Sequence, residues 1–297
     1  MANTDMDIPV GDLFADSDGE EKLFSFKVGL AQLMLRSGGG VVVEVTNTEE
    51  ATIAEEAGAA CCVVSGRLML DLPIVRKIKR AVSIPVMVRI RAGHFVEAWI
   101  LEAIGVDFVD ESELLGNAFS RNYINKHYFR APFACGCKNL EEALARIVEG
   151  AAIIWIQGEE SSLEGTAENV RSIMQTTTDL ARANEDEVSA FAEEMEVSYD
   201  LVAQIKEMGK LPVVQIAMGG IESPADAALM MQLGCDGVCV RSKFFQYPDS
   251  YLWNPFRRLR AIVEAVKHYN NPLVLAECIN WMMKNEDDED DDNEDLT

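Results

Sequence analysis

The residues that could do chemistry sit at the ends of short apolar runs. Gly219-Gly220 follows Val213, Val214 and Ile216, and Arg241-Ser242 follows the run from Gly237 to Val240. A glycine pair lets backbone approach a ligand with no Cβ in the way, and an arginine with a hydroxyl at the next run's end adds charge suited to a phosphate. The pair also reads as a plain tight turn. Lys138 and Lys243 are amines near such ends, and a deprotonatable amine is the group that forms an imine with a carbonyl substrate. Arg89 reads first as the partner of a carboxylate, Glu44 or Asp110. Asp110 alone reads as a structural acid as readily as a catalytic one, and His94, beside Gly93, as a loop hydrogen-bonder. Seven cysteines lie scattered through apolar segments such as Ala60-Cys61-Cys62-Val63, with only three histidines in the chain. Reduced core thiols are expected from this pattern, and no metal site.

The elements that must position these residues repeat one unit. Lys210 to Ser242 holds a strand, a Gly-Gly turn, a helix that Ser223-Pro224 opens and Gly234 closes, and a second strand. Such a right-handed crossover makes parallel sheet. Earlier strands are expected at 41–45, 61–64, 85–91, 107–110, 132–136 and 152–157. Helices are expected at 24–35, 47–58, 72–81, 95–104 and 140–149. Residues 117–130 carry no readable period, 158–165 reads as a polar loop, and 166–208 as two or more helices with an acidic break near 184–187. A last helix is expected from 255 to 268. Eight strands alternating with helices select a (β/α)8 barrel, whose phosphate sites lie after strands 7 and 8. The organisation expected is an acidic disordered arm over 1–22, one barrel domain with its N-terminal helix over 23–283, and an acidic disordered tail over 284–297.

Charge narrows the partners. A formal net charge of -24 disfavours nucleic acid and anionic membrane surfaces. Glu286 to Asp295 alone holds nine acids and no base. The first 25 residues have no basic start and no apolar run, and no window approaches the ~18 apolar residues of a membrane helix. A cytoplasmic protein is expected.

Several strings, taken in this order, resemble the synthase (lyase) subunit of pyridoxal 5'-phosphate synthase: Ile53 to Ala59, Ser83 to Met87, Gly93-His94, Val109 to Glu113, Cys135-Gly136-Cys137 and Pro224 to Gly234. The resemblance runs from about Gly39 to Val266. It implies a barrel that builds the cofactor from a pentose phosphate, a triose phosphate and ammonia supplied by a glutaminase partner, in two stacked six-membered rings. It also implies an imine-forming lysine at the end of strand 3 and another at the end of strand 6. Here those positions read Arg89 and Gln157; a guanidinium stays protonated and a carboxamide nitrogen is no nucleophile. The family's strand 1 aspartate is Glu44, while the strand 4 aspartate persists as Asp110. The glycine-rich loop after strand 6 has become Glu159 to Glu164, the Gly-Ser pair after strand 8 has become Arg241-Ser242, and the long loop after strand 2 is cut to Ser65-Gly66-Arg67. The C-terminal segment that helps close the family's site is replaced by the acidic run.

The expectation is therefore a divergent, non-catalytic paralogue of the plant type. It has no catalytic residues, no bound cofactor and a vestigial phosphate site at Gly219, Gly220, Arg241 and Ser242. It would co-assemble with catalytic synthase subunits, and with itself, to regulate or stabilise vitamin B6 biosynthesis; docking of the glutaminase stays open. The alternative is a barrel enzyme of different chemistry, or a binding protein for a phosphorylated metabolite, using Lys243 or Lys138 for an amine and Arg241 with Arg89 for an anion.

Overall fold

Eight parallel strands, each hydrogen-bonded to the next in chain order, close when the last pairs with the first. The computed structural model describes residues 17–37, 39–65, 71–112, 123–158, 162–246 and 254–283. The strands are β1 Val41–Val45, β2 Cys61–Val64, β3 Val86–Arg89, β4 Phe108–Glu111, β5 Phe133–Cys137, β6 Ile153–Ile156, β7 Val214–Met218 and β8 Gly237–Val240. Closure is read from the register, in which Val42 of β1 stands between Cys61 of β2 and Cys239 of β8. The helices are α1 Ser17–Ser37, α2 Thr48–Glu56, α3 Leu72–Ala81, α4 Phe95–Ala103, α5 Leu140–Val148, α6 Leu163–Leu180, α7 Glu185–Glu194, α8 Tyr199–Met208, α9 Pro224–Gln232, α10 Pro255–Lys267 and α11 Pro272–Met283. This is the (β/α)8 barrel expected from the alternation. No helix among the described residues is long and apolar enough to cross a membrane.

Side-chain alternation along each strand divides the apolar residues into two populations. Val42, Cys61, Val63, Met87, Phe108, Trp155, Ile216, Met218 and Cys239 fill the barrel's interior, and Ala31, Met34 and Leu35 of α1 join them. Val43, Val64, Val88, Val109, Cys135, Ile154 and Ala217 face outward and pack with the helix layer. Loops after the strands end in residues that cap the next helix, which saves donors otherwise left unpaired. Asn47, Asp71, Asn139 and Ser223 each accept an N–H of the first turn of α2, α3, α5 and α9.

Several boundaries differ from expectation for physical reasons. α1 begins at Ser17, so its first turns fall inside the arm expected to end at 22. α6 begins at Leu163, within the expected loop, because Ser162 caps it. The acidic break near 184–187 is the opening of α7: Asn184 and Glu187 form a reciprocal capping box, and three acids in the first turn favour the positive end of the helix dipole. α11 was not expected. Its apolar residues lie on more than one side, with Leu273, Ile279 and Met283 exposed and Cys278 buried, so no single stripe announced it. Residues 1–16 and 284–297, which hold most of the two acidic tails, lie outside the described residues.

Candidate functional site

The C-terminal ends of β1, β3 and β4 turn Glu44, Arg89 and Asp110 inward at the barrel's mouth. Arg89 is the register partner of Asp110. Its Nε lies 2.7 Å from Asp110 Oδ2 and its Nη1 2.9 Å from Glu44 Oε1, so one guanidinium bridges two carboxylates on different strands. Trp155 Nε1 donates to Asp110 Oδ1 at 3.0 Å, and the Ser112 N–H donates to the same oxygen at 2.9 Å. Arg241 Nε stands 3.4 Å from Glu44 Oε2. Asp110 is 0% and Glu44 4% exposed, and the Arg89 side chain retains 14%. One Arg89 nitrogen, Nη2, is buried without a hydrogen-bond partner.

The electrostatics follow from that closure. Burial pushes the Glu44 carboxyl up, but Arg89, the Ser65 hydroxyl and Arg241 outweigh it and hold the group below the usual carboxylate range. Burial likewise disfavours the Arg89 charge, and Asp110 with Glu44 outweigh it, so the guanidinium holds its proton more tightly than usual. A guanidinium locked between two anions is neither nucleophile nor base. Glu44, held low by this pairing, is a poor proton acceptor.

At the end of β6, Gln157 is 6% exposed, and its backbone carbonyl accepts from Asn169 Nδ2 at 2.8 Å. The glycines nearby serve chain packing. A Cβ on Gly220, at φ 69°, would stand 2.2 Å from the Leu163 nitrogen, and one on Gly158 would stand 2.3 Å from the Gly165 carbonyl carbon. The Gly158 N–H also donates to Thr166 Oγ1 at 3.0 Å. The first turn of α6 is thus seated on both strand ends, and the close approach that requires glycine at 220 is to α6. Gly219, Gly220, Arg241 and Ser242 do lie at the ends of adjacent strands β7 and β8, with Ser242 opening a 3-10 turn. Glu159, Glu160, Ser161, Gly66 and Arg67 fall outside the described residues.

Lys138 and Lys243 are exposed, and among the described residues no hydrogen bond or ion pair joins either to the Glu44–Arg89–Asp110 bridge. His94 is the N-cap of α4, its Nδ1 accepting the Glu97 N–H at 3.3 Å. All seven cysteines are buried and unpaired. Burial pushes the Cys62, Cys135 and Cys235 thiols up to about 12, which suits inert core thiols.

Sequence reasoning missed a second charged cluster, outside the barrel wall. Lys126 is 0% exposed and its Nζ lies 2.8 Å from both Glu111 and Glu149. Glu111 also accepts the N–H groups of Gly93 and Ile124, tying the β3–α4 loop and the chain after 122 to the end of β4. Lys27 of α1 donates to the Lys126 carbonyl at 2.9 Å, and burial pulls its ammonium down to about 8. Arg146 lies on the Tyr123 ring, 3.2 Å from its centroid. The signal was thin: Lys126 lies in a segment without periodicity, and its partners come from three separate elements.

The profile of the SOR/SNZ family matches residues 23–218. The chain is 52% identical over 265 residues to the pyridoxal 5'-phosphate synthase-like subunit PDX1.2 of Arabidopsis thaliana, covering 86% of this chain and 82% of that one. It is 51% identical over 277 residues to the pyridoxal 5'-phosphate synthase subunit PDX1 of Phaseolus vulgaris, covering 89% and 86%. With subunit PDX1.3 of Arabidopsis thaliana it shares 50% over 277 residues, covering 89% and 87%.

Proposed function

The chain belongs to the SOR/SNZ family, and from that premise we propose that it is a non-catalytic member. It makes no pyridoxal 5'-phosphate itself, co-assembles with catalytic synthase subunits and regulates or stabilises vitamin B6 biosynthesis in the cytoplasm. One observation carries the reading. The β3 end, where the family resemblance calls for an imine-forming lysine, holds a guanidinium bonded to Glu44 and Asp110 at once. No free amine stands there to attack a carbonyl, and the substitution uses both nearby carboxylates in a contact internal to the protein. Gln157 supplies no second amine at the end of β6.

Co-assembly is supported by what has been retained. About half of all positions match the relatives across nearly the whole barrel, and the family resemblance expects lysines where this chain has Arg89 and Gln157. Cores tolerate many apolar combinations at little cost, so likeness at exposed residues such as Glu56 argues for contacts with neighbours. A paralogue with matching edges can replace one subunit in a closed ring without any new contact. On this reading residues 23–283 form the assembling barrel and the acidic ends are appendages to it. The test is coexpression with a catalytic synthase subunit followed by native mass spectrometry. One high-mass species of mixed composition is expected; separate homo-oligomers would refute the proposal.

A further inference from the structure

α11 carries apolar residues on opposite sides, and the barrel covers one of them. At 3.6 residues per turn Val274, Cys278 and Trp281 fall together, and this side forms a groove with Arg260, Ala261 and Glu264 of α10. Pro272, Ala276, Ile279 and Met283 fall together on the other side. All four are exposed, Met283 by 52%, and Leu273 beside them by 77%. They are spaced by four, three and four residues, the spacing of a helix–helix seam. Exposed apolar residues scattered singly are ordinary, but a continuous stripe along a whole helix marks a contact surface.

We propose that this stripe is a homotypic contact, through which two copies of the chain pair by antiparallel α11 helices about a two-fold axis.

Charge and shape both select a second copy. Each copy carries a formal net charge of -24, so self-association needs a face that brings no acids together. Glu277 is the one charged residue of α11, and it lines the groove with α10, away from the stripe. The stripe also complements itself. Reversing it about its midpoint places Ala276 against Ile279 of the second copy and Pro272 against Met283, so a small side chain faces a large one at each level. A parallel pair would set large against large and leave gaps between the small residues. α4 presents a similar stripe, Val96, Ile100 and Ala103, but it is a turn shorter and would leave one end of the α11 stripe bare. Paired along about 18 Å, two α11 helices bury less than the ~1,600 Å² of a standard stable interface, so the dimer forms in a concentration-dependent equilibrium.

The proposal does not rest on co-assembly with a synthase subunit, and its test uses this protein alone. Full-length protein with photoreactive benzoylphenylalanine in place of Met283, mixed from light and heavy isotope preparations, is irradiated and its cross-linked peptides are mapped by mass spectrometry. A product joining light to heavy chains and attached at 271–276 of the second copy is expected, with a yield that rises with protein concentration up to about 200 µM, as a small interface requires. Ile279→Glu should lower that yield at least about fivefold while moving the melting temperature by less than about 2 °C, because the side chain is exposed. The double variant Ala276→Ile, Ile279→Ala exchanges large and small across the axis and should keep the yield within about twofold. The attachment site is read on the otherwise unaltered sequence, so it decides even if a variant fails to fold. Attachment at 279–283 of the second copy, at α4 or any other element, or within one isotope only, no product at all, or a yield indifferent to Ile279→Glu would each overturn the proposal.

Discussion

Replacing Arg89 with Met removes the one cation that bridges Glu44 and Asp110. Breaking a buried ion pair by deleting one partner costs about 3–5 kcal/mol, because the other charges are left uncompensated. Asp110 keeps the Trp155 and Ser112 N–H donors, and Glu44 keeps Arg241, so the lower end, about 3 kcal/mol, applies. At roughly 2–4 °C per kcal/mol for a large domain, the melting temperature should fall by about 6–12 °C at pH 7. The pH dependence has a definite sign. The folded Glu44 carboxyl is held below its ordinary value, so the stability it contributes is present above the ordinary carboxylate pKa and is lost as pH falls through the folded one. The gap between wild type and Arg89→Met should therefore hold as pH is lowered from 7 to about 4.5 and narrow from there towards 3. Thermal unfolding followed by circular dichroism across that range, with urea unfolding at both extremes, is the assay. A drop under about 2 °C at pH 7, or a gap that widens in acid, would refute the account of Arg89 as a structural bridge.

The purified protein given pentose phosphate, triose phosphate and ammonia should form no pyridoxal 5'-phosphate, and borohydride should trap no sugar phosphate on it; absorbance above a protein-free control, or an adduct on Lys243 or Lys138, would favour the different-enzyme reading. Arg89→Lys with Gln157→Lys should return little or no synthase turnover in the same assay, because the short loop after β2 and the α6 turn seated on Gly158 and Gly220 remain. Gly220→Ala should destabilise by a few kcal/mol in urea unfolding, since its Cβ would stand 2.2 Å from the Leu163 nitrogen and backbone must move to admit it; an unchanged midpoint would show that α6 is not seated there.

What the sequence made legible was whatever repeats at short range. β1, β2 and β8 and helix α3 fall at the residues expected, because each is a run of one period bounded by glycine, proline or a capping residue. Gly219-Gly220 shows where local reading stops. The pair is expected to admit a close approach to a ligand or to form a tight turn, whereas the close approach at Gly220 is made by α6, more than fifty residues earlier in the chain. Lys126 has the same difficulty in sharper form, since Glu111, Glu149 and Lys27 reach it from β4, the end of α5 and α1. No periodicity encodes a contact between three elements. Arg89 was legible because its partners are set by barrel geometry: inward positions at the ends of neighbouring strands meet whatever their separation in sequence.

On the proposed reading, the mouth of the barrel is a site that has lost its chemistry and gained order. An imine-forming site must hold an amine ready to lose its proton, near carboxylates left free to move protons, and such groups are costly to bury unpaired. Here Glu44, Arg89, Asp110, Trp155 and Arg241 are linked in one chain of contacts from β1 to β8, and only Arg89 Nη2 is left without a partner. These groups satisfy one another, which on that reading is the exchange of activity for stability expected when a site is released from catalysis. A subunit stabilised in this way is suited to a structural place in a mixed assembly. In that setting Arg89→Met should weaken the assembly only through the barrel's own stability: the subunit should still enter mixed rings at low temperature and leave them at a lower one. Loss of mixed rings at all temperatures, with the barrel still folded, would mean that the mouth itself is part of the interface.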